Sequence, residues 1–176
     1  MRKTKIGLFL VMCVAVLTML LSGCGGSSDG YMSNVDPAQA EKVVLSAVNK
    51  ALGTEMENNE ALRSKADAVW SKVDGNGKIR LFENGDAGHD SDDECWYVWP
   101  MLDNDAGLDD NAKLQMIEIT EEVLKQFENP SAELLARVKS DVSPMEQFYK
   151  LSSVCVTAKK IGGRVYVMYV TEGLKG

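Results

Sequence analysis

Between residues 83 and 110 the chain carries ten carboxylates (Glu83, Asp86, Asp90, Asp92, Asp93, Glu94, Asp103, Asp105, Asp109 and Asp110) and no lysine or arginine. Closely spaced oxygen ligands bind a hard cation such as Ca2+. The tightest spacing is Asp103-x-Asp105-x-Gly107-x-Asp109, which makes Asp103, Asp105 and Asp109 the metal-ligand candidates. Two carboxylates set roughly 5 to 9.5 Å apart could instead hydrolyse a glycosidic bond, but a crowd of acids singles out no pair. As a surface, the acids could dock a basic protein or peptide, with Trp96, Tyr97 and Trp99 between them as its aromatic part. The plainest reading is two solvated loops, since charge runs usually face water.

Other chemistries find little support. The single histidine, His89, sits between Gly88 and Asp90 in the acidic stretch, where neighbouring acids favour its charged form. No Gly-x-Ser-x-Gly elbow, His-Glu-x-x-His pair or glycine-rich phosphate loop occurs, so no cofactor is expected. Basic patches for nucleic acid are missing, and the local negative field opposes that partner.

Two resemblances bear on these acids and on the cysteines. Residues 72–83 resemble an EF-hand loop, with Asp74, Asn76, Gly77, Ile79 and Glu83 at suitable positions, but Lys72 stands where the first carboxylate belongs. A turn leading into a strand accounts for the same residues. At the N-terminus, Arg2, Lys3 and Lys5 precede an apolar run ending in Leu21-Ser22-Gly23-Cys24. That layout is a secretory signal peptide, and its last four residues resemble the lipobox of bacterial lipoproteins.

The resemblance implies cleavage after Gly23, lipidation of Cys24, and a place on the extracytoplasmic side of the cell membrane or outer membrane. The expected organisation is a signal peptide over 1–23, a flexible tether over 24–35 and a single domain over 36–176. Removing Arg2, Lys3 and Lys5 takes the net charge from -7 to -10. Cys13 leaves with the signal peptide and Cys24 is acylated, so Cys95 and Cys155 remain. In an oxidising envelope such a pair reads as a disulfide, worth roughly 4 kcal/mol in the chain-entropy model.

The elements that must position these residues follow from pattern and capping. Asp36-Pro37 starts a first helix that Gly53 ends. A capping box at 54–57 opens a second, with Leu62, Ala66, Val69 and Val73 inward. A turn over 74–77 leads into a strand over 78–82, then a polar loop to about residue 93. The aromatic strand 95–99 stops at Pro100, and alternation puts Trp96 opposite Tyr97 and Trp99. Asp109-Asp110 is expected to cap a third helix over 111–127, with Met116, Ile119, Val123 and Phe127 inward; a fourth follows Asn129-Pro130, and a short one spans 143–151. A hairpin closes the chain around Gly162-Gly163, with Ile161 facing Arg164 and Cys155 facing Val170. No internal repeat is read. The expected fold is α+β, helices on a small antiparallel sheet closed by that hairpin. The expected role is non-catalytic binding at the cell envelope, with a Ca2+-binding module and a small carboxylate hydrolase as alternatives.

Overall fold

The computed structural model describes residues 32–80, 87–91, 93–103, 105–142 and 149–175; the expected signal peptide, Cys24 and most of the tether lie outside them. The C-terminal hairpin is the spine. β5 (Tyr149–Ile161) and β6 (Arg164–Lys175) meet at Gly162 and Gly163, with φ of 57° and 83°, the sign that a tight type I′ turn demands at both central residues. Ile161 pairs with Arg164 and Cys155 with Val170, as counting back from the turn predicts. The aromatic run becomes β3 (Glu94–Pro100), which lies antiparallel to β6. β2 (Ala87–Ser91) completes the sheet in the order β2-β3-β6-β5.

Alternation gives the hairpin two apolar faces. Val154, Val156, Val165, Val167 and Tyr169 pack under α1 (Pro37–Leu52), α3 (Glu121–Glu128) and α4 (Ala132–Val142). Cys155, Tyr166, Met168 and Val170 face α2 (Arg63–Trp70) and a small ladder of β1 (Lys78–Ile79) with β4 (Leu114–Gln115). β6, central and covered on both sides, is buried from Val165 to Thr171, which is the setting that favours an unbroken apolar run. Each such valine contributes about 1.5 to 3 kcal/mol by leaving water. Across the second face the indole N–H of buried Trp70 donates to Thr157 Oγ1 at 2.9 Å. The fold is therefore α+β, closed by the C-terminal hairpin.

Local signals explain most boundaries. Asp36 accepts the N–H of Ala38, Pro37 opens α1, and Gly53 ends it at a φ of 66°. The Leu62, Ala66, Val69 stripe is buried as expected, but Asn59 is the cap that starts this segment, as a 3-10 turn (Glu60–Leu62) running into α2. Thr54 instead donates to Asn49 Oδ1.

Three expectations are corrected. Residues 87–91 of the polar loop form β2, because pairing with β3 outweighs their weak strand propensity. The helix expected over 111–127 is only α3, capped by Thr120, whose Oγ1 accepts the N–H of Val123. Met116 and Ile119 are buried with Val123 and Phe127, but they sit on extended chain whose N–H groups reach Gly77 O and Val165 O. Residues 149–151 of the last short helix belong to β5; residues 143–148 lie outside the described residues.

The two edges of the sheet differ. Along β5 the outward backbone is capped by the chain itself: the Asn58 amide accepts from Val156 N (2.6 Å) and donates to Val156 O (3.0 Å). Asn59 N donates to Val154 O, and Glu41 accepts from Ala158 N while Arg63 grips the same carboxylate at 2.8 and 2.9 Å. At β2, no described residue bonds the outer backbone edge.

Candidate functional site

Of the metal candidates, Asp109 has both carboxylate oxygens engaged within the fold. Asp109 Oδ1 accepts the N–H groups of Asn111 and Lys113 at 2.9 Å, and Oδ2 meets Lys78 Nζ at 3.0 Å. Asp74 does the same in mirror fashion: Oδ1 accepts from Asn76 and Lys78, both at 3.0 Å, and Oδ2 takes Lys113 Nζ at 2.7 Å. Each turn is closed by N–H to C=O bonds, Asp74 to Lys78 and Asp109 to Lys113, and each has a positive φ, at Gly77 (74°) and Ala112 (57°). The reciprocity continues at the next position of each segment: Arg80 donates to Asn111 O and Gln115 to Asn76 O.

The chain thus holds one turn twice, Asp74-Gly75-Asn76-Gly77-Lys78-Ile79 and Asp109-Asp110-Asn111-Ala112-Lys113-Leu114. The reading of no internal repeat is corrected; the signal was six residues long, with only Asp, Asn and Lys identical.

In these turns an ammonium from the partner turn sits where a cation would have to bind. The N–H of Lys113, then the Lys78 ammonium, holds the Asp109 carboxyl down at about 2. Burial pushes Asp74 up, but the Lys113 ammonium and the N–H groups of Lys78 and Asn76 outweigh it and keep its carboxyl below the usual range. Asp103 Oδ1 accepts the N–H of Asp105, closing its own loop, and Asp105 is exposed. Asp103, Asp105 and Asp109 are therefore not brought together as ligands: among the described residues no cluster of three or more His, Cys, Asp or Glu could hold a metal ion. Of the EF-hand-like stretch, Asp74 is taken by Lys113, Ile79 is core, and Glu83 lies outside the described residues.

The other acidic stretch behaves differently. Trp96 packs at the rim of the second core face, while Trp99 packs on the first, so the aromatics split as alternation predicts. The Trp96 ring lies across Gly88 of β2: a Cβ there would stand 2.6 Å from Cζ2. Lys65 of α2 holds its ammonium 4.8 Å from the Trp96 ring centroid and pairs with Asp90 Oδ1 at 2.5 Å. Glu172, cross-strand from Trp96, and Glu94, two residues before Trp96 on the same strand, stand nearby. Burial, and then the charges of Glu94 and Asp90, push the Glu172 carboxyl up. His89 lies on β2 opposite Cys95.

The expected Cys95 to Cys155 disulfide is not made; both are buried free thiols. β6 runs between their strands, with Cys95 beside Gly173 and Cys155 beside Val170, so the side chains leave opposite faces. Two strand spacings, about 9.6 Å, exceed the roughly 7 Å a disulfide tolerates. Burial pushes Cys155 up to about 11 and raises Cys95 as well, so neither is a thiolate nucleophile.

No family model, curated protein or solved structure matches this chain. Among the described residues no helix is long and apolar enough to cross a membrane. An open groove of about 580 Å3 along the end of α1 is lined by Lys42, Asn49, Lys50 and Glu55 among others; with one carboxylate it offers no acid pair.

Proposed function

We propose that this is a lipid-anchored bacterial envelope protein, held through Cys24, whose domain is a non-catalytic interaction module that meets a basic protein or peptide. What supports the reading is the separation of two ends of the sheet. The start of the domain is tied to the hairpin turn: Ser33 N donates to Gly163 O and Lys160 Nζ to Ser33 O, at 2.9 and 2.8 Å. Glu172, Glu94 and Asp90 gather at the other end of β6, about 30 Å away at the rise of a strand. A tether entering at Gly163 leaves the acids facing away from the lipid, whose anionic headgroups would repel them.

Two measurements test this. Mature protein should partition with membranes, and Cys24→Ala should release it; release of neither or both sinks the anchor. A pull-down from envelope extracts should retain a basic partner on the native domain and lose it on Asp90→Asn/Glu94→Gln/Glu172→Gln. Equal retention by both baits would sink the acidic face.

A further inference from the structure

We propose that the outer edge of β2, Ala87–Ser91, is a strand-addition site for an extended, lysine- or arginine-rich segment of a partner protein. The inference rests on the interaction reading above and adds the mode of binding.

Described residues seal one edge of the sheet, while on the other Ala87, Asp90 and Ser91 are exposed. On β5, the Asn58 amide reproduces the donor and acceptor of a neighbouring strand, and Glu41 and Asn59 take the flanking groups. An unsealed edge is a template for another chain, and on β2 no described residue occupies it. The shift in register between His89 and Ser91 and the charge of Asp90 are features that blunt edges against self-association. The charge acts by repulsion, and a chain with a net charge of -7 presents the same acids to a second copy of itself. A basic segment meets the opposite field.

The side-chain chemistry at the edge points the same way. Gly88 lets the Trp96 ring lie across β2, so a residue of the added strand opposite Gly88 would rest against indole. Lys65 already demonstrates the preference of this spot, with its ammonium over the ring and on Asp90. The Lys65 ammonium pairs with Asp90, and Glu172 feels the like charges of Glu94 and Asp90 more than that of Lys65, leaving negative charge that a second cation would neutralise.

The test uses mature, lipidated protein in detergent micelles and a nonapeptide alternating lysine with valine. Hydrogen exchange should slow at Ala87–Ser91 when the peptide binds, and stay unchanged at Val154, Val156 and Ala158. N-methylating every second residue of the peptide on its pairing edge should abolish binding, and Asp90→Asn/Glu172→Gln should weaken it about tenfold. Circular dichroism keeps the variant honest, since a folded variant that binds as tightly as the native protein overturns the charge argument. If the peptide binds without protecting Ala87–Ser91, or binds equally when N-methylated, strand addition is wrong while an acidic docking face stands. If it does not bind, both fall.

Discussion

Asp74 and Asp109 on one side, and Asp90, Glu94 and Glu172 on the other, are the same chemistry put to opposite uses. The first two carboxylates are fully engaged: each accepts two backbone N–H groups and one ammonium, and together they lock β1 to β4 beneath Tyr166. At the far end of the sheet Lys65 pairs with Asp90, while Glu172 stands among the like charges of Glu94 and Asp90. An acid whose lone pairs are filled by its own backbone supports the fold and has nothing left for a ligand. One held near like charges adds little to the fold and keeps its field for whatever approaches.

The largest way to break the comparison is through the first turn. Gly77 has a φ of 74°, and a Cβ there would stand 2.2 Å from the buried Tyr166 ring. Gly77→Ala therefore combines left-handed strain with overpacking and should cost about 3 kcal/mol or more, read as a lower urea midpoint. Asp74→Ala leaves an exposed and a half-buried N–H without their acceptor and should cost about 1 kcal/mol; Asp109→Ala should lower the urea midpoint in the same direction. Ala112 holds a φ of 57° with its residue exposed, so Ala112→Gly relieves strain without a clash and should gain up to about 1 kcal/mol. A loss there would mean that the two turns are less alike than their hydrogen bonds.

The pH profile sharpens the same contrast. Asp109 is held at about 2, below the roughly 3.9 of an unfolded aspartate; its contribution is present above pH ~4 and is lost as pH falls through 2. Asp141 is the opposite case: burial, opposed by Arg137, raises it to about 6. Its neutral form suits the fold, so that contribution is complete below pH ~4 and is lost as pH rises through 6. Glu172, also raised, adds to the second arm. Melting temperature should therefore peak near pH ~4 to 5. Asp141→Asn should flatten the fall towards neutrality and Asp109→Asn the fall towards acid. A profile that Asp141→Asn leaves untouched would remove burial as its cause.

How much of this was legible depended on whether the signal was local. The hairpin was readable to the residue, because Gly162-Gly163 fixes the turn and the register of Cys155 follows by counting. Core membership was readable too: Met116, Ile119, Val123 and Phe127 are all buried. Their spacing nonetheless misassigned the backbone, since an extended segment crossing the sheet can bury residues at helical intervals by chance of topology. Asp109-Asp110 read as a helix cap because Asp closes turns and caps helices through the same side-chain bond to nearby N–H groups; only the partner Lys78, 31 residues away, distinguishes the two. The disulfide failed for a related reason. Compartment and parity gave the pair, but the order of strands, which inserts β6 between them, is not a local property.

The smallest effect tests the acids at the far end. Asp90→Asn/Glu94→Gln/Glu172→Gln removes one half-exposed ion pair with Lys65, worth about 0 to 1 kcal/mol. It also removes mutual repulsion, including the pressure from Glu94 and Asp90 that helps raise Glu172. The two changes oppose each other, so stability should move by no more than about 0.5 kcal/mol. The charge presented at the β2 end would drop by three. A triple variant as stable as the native protein places these carboxylates outside the folding machinery, leaving recognition as the property they change. A loss as large as that of Asp74→Ala would make both acidic regions structural and erase the distinction between them.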